Sequence, residues 1–223
     1  MTLKRLHRNR GTAAIEDIGL LPRYGGAIIH DCWASYFADD DCTHGLCGSH
    51  LLREFTFVVD AHGYSWARNM KRLLKDTAAT VAKRQDKCLN AKELANLQKH
   101  YRAILTRGEK QLPPIPPRPS GKRGRLAKSQ AHNPWERLKH HEHAVLRFAS
   151  DPHVAFTNNR AERDLRMAKV KLKVSGCFRT TRYARAYCRI SSYLQTMANL
   201  GHNPLIAIQM ALAGHSVSMT GGE

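Results

Sequence analysis

The chain has 223 residues, enough for one sizeable core or one core with a helical insertion, and 36 basic against 18 acidic side chains give a formal net charge of +18. That balance points to a polyanionic partner, nucleic acid first, because neutralised phosphates release counterions whatever the base sequence. No apolar run approaches the length of a membrane span, and the polar start Met1-Thr2-Leu3-Lys4-Arg5 leads into no signal-peptide core, so a membrane surface is the weaker partner.

Residues 1–12 read as a basic, glycine-ended arm, expected to be flexible. Thr12 can cap a short helix from Ala13 to Leu21, closed by Pro22 and Gly25-Gly26. Ala27-Ile28-Ile29-His30-Asp31 follows, a short apolar run ending in an acid. It predicts a buried strand with a carboxylate at its C-terminal end, where α/β sheets usually carry function. Trp33 to Phe37 predicts a short turn or helix, Asp39-Asp40-Asp41 a loop, Gly45-Leu46-Cys47 a brief strand, and Ser49 to Val59 a helix.

Residues 65–87 and 91–106 carry apolar side chains at helical spacing (Trp66, Met70, Leu73, Leu74; Leu94, Leu97, Tyr101, Leu105) and predict a helical hairpin. Residues 108–133 read as a linker, polyproline-like from Leu112 to Pro119 and basic and glycine-rich from Gly121 to Arg125. Helices are predicted to resume at Pro134 to Phe148, Asn159 to about Lys169, Ala184 to Asn199 and Pro204 to Ala213. Gly201 suits a C-cap and Pro204 a first-turn proline.

Six scattered cysteines, Cys32, Cys42, Cys47, Cys88, Cys177 and Cys188, do not resemble a disulfide framework. With no export signal they favour a reducing cytoplasm. Cys47-x-x-His50, with Cys42 and Asp41 nearby, has spacing for two zinc ligands. A second Cys/His pair at finger-like spacing is absent, so packing of both side chains is the favoured reading and a metal site the alternative.

The most informative stretch is Asn158-Asn159-Arg160-Ala161-Glu162-Arg163-Asp164-Leu165-Arg166. Asn158 is a good N-cap, and as a helix the run places Glu162 about one turn in, with Arg163 and Arg166 on an adjoining face. Two readings compete: a solvated helix laced with ion pairs, and a metal-binding acid beside a phosphate-binding surface.

Beyond it, Arg166, Lys169, Lys171, Lys173, Arg179, Arg182 and Arg185 form the densest basic run. Alternation in Val170-Lys171-Leu172-Lys173-Val174 predicts an extended segment with its lysines on one face. Such a run is either a solvated face or a track for DNA phosphates.

An acid at a strand end and another early in a helix suit two-metal phosphoryl transfer, in which two divalent ions about 4 Å apart clamp the attacking and leaving oxygens. Asp31 and Glu162, 131 positions apart, are therefore expected to meet around shared ions, with the hairpin and linker inserted between core elements.

Five motifs carry a family resemblance. They are Ile29-His30-Asp31-Cys32-Trp33-Ala34-Ser35-Tyr36; Gly45 to Glu54 (GLCGSHLLRE); Asn158 to Arg163 (NNRAER); Lys173 to Arg179 (KVSGCFR); and Asn199 to Pro204 (NLGHNP). In this order, from about Gly11 to Gly214, they closely resemble bacterial transposases of the insertion sequence 66 family. The resemblance implies a ribonuclease-H-like fold: here a helix-rich α/β chain holding the C-terminal part of that core with a helical insertion. It also implies an acidic triad that uses Mg²⁺ or Mn²⁺ to cut DNA at transposon ends and join them to a target.

Asp31 matches the second aspartate of the triad and Glu162 its glutamate, both catalytic and both metal ligands. Arg160, Arg163, Arg166, Lys169, Lys171, Lys173 and Arg179 are the expected DNA-binding residues, in a bacterial cytoplasmic, nucleoid-associated protein. Family members also carry a first aspartate and a DNA-binding region upstream, whereas here only Glu16 and Asp17 precede Asp31. The expectation is an N-terminally truncated transposase, inactive alone, whose missing strands and aspartate come from another polypeptide or an upstream reading frame, with accessory transposition proteins as further partners. The alternative is a non-catalytic remnant that binds DNA. The expected division is an arm over 1–12, a first core part over 13–60, the insertion and linker over 61–133, core and C-terminal helices over 134–214, and a flexible tail over 215–223.

Overall fold

A computed structural model describes residues 1–38, 41–117 and 128–215. Asp39 and Asp40 of the acidic loop, the basic linker around Gly121 to Arg125 and the tail from Ser216 lie outside the described residues. Among the described residues the chain is a helix-rich α/β protein with nine α-helices and one two-stranded sheet. It forms two compact units, Gly19–Asn158 and the combination of Met1–Ile18 with Asn159–Glu223.

The first unit begins with β1 (Ala27–His30) and β2 (Thr43–Leu46), paired in parallel with Ala27 opposite Thr43 and His30 opposite Leu46. The strand predicted to be buried is half-exposed until His30, because β1 has β2 as its one partner among the described residues. A short 3-10 helix, Ala34–Ala38, lies between the strands. Next come α2 (Gly48–His62), α3 (Ser65–Lys83), α4 (Ala91–Glu109), α5 (His132–His140) and α6 (Glu142–Ser150), preceded in the chain by α1 (Thr12–Ile18) of the other unit.

Local chemistry sets the boundaries. Gly63, at φ 67°, ends α2 in the left-handed conformation that glycine adopts without steric cost. At the start of α4, Asn90 Oδ1 accepts from the Glu93 N–H while Glu93 Oε2 accepts from the Asn90 N–H, each at 2.9 Å. This reciprocal cap satisfies two N–H groups that the helix itself cannot. The helix predicted over Pro134 to Phe148 is two helices, because His141 (φ −116°, ψ 33°) leaves helical geometry between α5 and α6.

The α3–α4 hairpin is present, and it shares one core with α2, α5, α6 and β2. Trp66, Met70, Leu74 and Tyr101 are wholly buried there with Phe55 and Leu138. The Tyr101 hydroxyl donates to the Leu138 carbonyl at 2.9 Å, and the Trp135 indole to the Leu105 carbonyl at 3.0 Å. Both polar groups are thus buried at little cost.

The second unit comprises α1, α7 (Asn159–Ser175), α8 (Thr181–Asn199) and α9 (Pro204–Leu212). The segment predicted as extended, Val170 to Val174, is the last part of α7; helix-forming Lys and Leu and the continuing ladder outweigh local alternation. Gly176 (φ 69°) follows it, and Thr180 caps α8 by accepting from the Tyr183 N–H at 3.2 Å. The first residues are held rather than loose. The Thr2 N–H donates to Thr196 Oγ1 at 3.0 Å and the Lys4 N–H to Ser192 Oγ at 2.8 Å.

Candidate functional site

In the first unit, β1 delivers Asp31 to the C-terminal edge of the parallel pair, as expected. The side chain is exposed, and its Oδ1 accepts from the Trp33 N–H at 3.2 Å, an Asx turn that orients the carboxylate. Cys32, next in line, has φ 67°, a left-handed conformation rare for a residue with a Cβ. The chain therefore turns sharply just after the acid.

The buried His30 supports that turn. His30 Nδ1 accepts from the Cys32 N–H at 3.2 Å, so its proton sits on Nε2 and is donated to His44 Nδ1, also at 3.2 Å. Burial, and then the neighbouring His44, pull the His30 pKa down to about 4, so the imidazole is neutral at physiological pH. Burial pushes the Cys32 thiol up to about 11, which makes it a poor nucleophile. Nearby, Arg137 Nη1 bridges both oxygens of Glu54 at 2.7 and 2.6 Å. Cys32 and Arg137 also line a cavity of about 630 Å³ with Lys128, Asn133, Glu136 and His141.

Cys47 is buried just before α2, where its Sγ accepts from the Asn158 N–H at 3.4 Å. His50 stands in the first turn of α2. Cys42 is directed elsewhere: its Sγ–H donates to the Tyr24 carbonyl at 2.8 Å.

In the second unit, Glu162 lies in the first turn of α7, where the helix dipole favours a negative charge. Asn159, Glu162, Arg163, Arg166 and Lys169 line one open cavity of about 410 Å³. Their spacing of three or four residues makes a stripe along the helix. Four of the predicted residues are therefore adjacent to one another on this stripe. Arg160, Lys171, Lys173 and Arg179 are exposed outside it, with Lys171 Nζ lying 5.6 Å from the Phe178 ring centre. This unit holds fourteen basic and five acidic side chains, half of the net charge in little more than a third of the residues.

Sequence reasoning did not find the His30–His44 pair or the Arg137–Glu54 bridge. The histidines had a signal, since each lies in a strand-like segment beside apolar residues. The bridge had none, because its partners are 83 positions apart.

Residues 1–186, most of the chain, match the family model described as Transposase IS66 family. The chain belongs to the IS66 transposase family. No curated protein and no solved structure matches it. No helix among the described residues is long and apolar enough to cross a membrane.

Proposed function

We propose that this transposase cuts and joins DNA by metal-dependent phosphoryl transfer on a ribonuclease-H-like core, with Asp31 and Glu162 as catalytic metal ligands. Family membership carries the reading, and Asp31 at the sheet edge supports it. The donor chemistry fits Mg²⁺ or Mn²⁺, since both side chains offer hard carboxylate oxygens. The Trp33 N–H orients Asp31, and no ion pair engages Asp31 among the described residues. Held by these carboxylates, such an ion would supply Lewis-acid stabilisation of phosphoryl oxygens and would lower the pKa of an attacking water or 3′-hydroxyl.

The remaining work falls to the chain itself. Arg163, Arg166 and Lys169 grip phosphates along α7, the arginines through forked hydrogen bonds. Arg160, Lys171, Lys173 and Arg179 add sequence-independent attraction to the backbone. Neutral His30 supports the turn that carries Asp31 without placing a competing cation behind it. The partners are transposon-end and target DNA.

The charge density of the α7–α8 unit also favours a second reading, a DNA-binding protein without turnover. A strand-transfer assay separates the two. Transposon-end duplex is incubated with a supercoiled target and Mg²⁺ or Mn²⁺. Joined product supports the enzyme; retention of the duplex with no cut or joined strand supports the binding protein.

A further inference from the structure

Within the second unit, residues 2–5 run along α8. Thr2 and Lys4 face the helix, held at Thr196 and Ser192, while Leu3 and Arg5 face outward. The Lys4 side chain is therefore buried, with the residue 8% exposed, and its Nζ donates to Ser191 Oγ at 2.5 Å. A hydroxyl is a neutral partner and brings no opposite charge to the ammonium group.

Lys4, Arg5, Arg185 and Arg189 all line one cavity of about 650 Å³. Arg185 and Arg189 are one turn apart on α8 and so project from the same face. Asp17 is the one acid in the lining, and its Oδ2 pairs with His7 Nε2 at 3.3 Å. Among the described residues none of the four cations has a carboxylate within ion-pair distance. Among the described residues the cavity is thus walled by four cations and one acid, Asp17, with none of the four cations in an ion pair.

We propose that the cavity bounded by Lys4, Arg5, Arg185 and Arg189 is a phosphate-binding site, separate from the α7 stripe. The arginines supply forked donors and Lys4 a fixed point charge. The phosphate belongs either to a DNA backbone or to a free polyphosphate. None of these residues takes part in the proposed phosphoryl transfer. Binding is read without divalent ions, so a failed strand transfer and a failed phosphate site are separate results.

The test uses the full chain with a short fluorescein-labelled duplex and, separately, inorganic pyrophosphate, followed by anisotropy and thermal unfolding. Lys4→Met keeps the apolar stem and removes the charge. It is expected to weaken duplex binding about tenfold and to lower the salt slope by about one, with Arg185→Gln and Arg189→Gln acting alike. Without an anion, Lys4→Met should melt no lower than wild type, while losing most of the anion-induced rise in Tm. Pyrophosphate that raises Tm and displaces the duplex assigns the site to free polyphosphate; protection by duplex alone assigns it to the backbone. No protection by either overturns the proposal. Should Lys4→Met fail to fold, the exposed Arg185 and Arg189 decide: unchanged affinity and salt slope in both variants overturns it as well.

Discussion

His30 Nε2 lies 3.2 Å from His44 Nδ1 across the two parallel strands, one residue before the carboxylate proposed to hold the metal. His30 is neutral because it is buried, with its pKa drawn from 6.5 to about 4 by burial first and then by the neighbouring His44. Below pH 6.5 the unfolded chain takes up a proton that the folded chain refuses until pH nears 4. The stability that His30 contributes is therefore complete above 6.5 and is lost as the pH falls through that window. The measurement is Tm against pH: wild type should lose more than His30→Gln between those limits, and parallel curves would refute a neutral His30.

Gly48 opens α2 under the ring of Phe156. A Cβ there would lie 2.2 Å from Phe156 Cζ, and that ring is itself packed against Phe148 at 4.7 Å between centroids. Gly48→Ala should destabilise the protein by about 1–3 kcal/mol, the usual cost of overpacking. In a denaturant double-mutant cycle with Phe156→Leu, the pair should lose less than the sum of the single changes.

Arg137 and Glu54 join α5 to α2 beside Cys32, and their side chains are 24% and 38% exposed. Partial solvent screening places the cost of breaking such a pair below that of a fully buried one. Arg137→Met should cost about 1–2 kcal/mol in urea unfolding, and Arg137→Met with Glu54→Gln should recover part of that loss.

The α7 stripe should act on DNA through phosphates. Arg163→Gln and Arg166→Gln are each expected to weaken binding uniformly across unrelated duplexes and to reduce the salt slope by about one. Anisotropy titrations over a range of salt measure this. Loss confined to one sequence would instead indicate base contacts.

Much of this was readable from the residues. The hairpin showed in apolar spacing, β1 in a short apolar run, and α7 in its strong helix formers. What was not readable depended on tertiary context. Val170 to Val174 alternate as a strand would, yet the growing helix absorbs them. His141 interrupts a helical pattern without proline or glycine to announce it. The basic start looked loose because its anchors, Ser192 and Thr196, lie almost the length of the chain away. Charge composition pointed to phosphates, but it could not show that Lys4 is buried while Arg5 is exposed.

The role given to Asp31 and Glu162 is tested most directly by nicking of transposon-end DNA in Mg²⁺ or Mn²⁺, comparing wild type with the near-isosteric Asp31→Asn and Glu162→Gln. Wild type should yield metal-dependent nicked product, and each substitution should abolish it while duplex binding persists. Product that survives either substitution, or wild type that binds the DNA and leaves it uncut, would contradict the assignment.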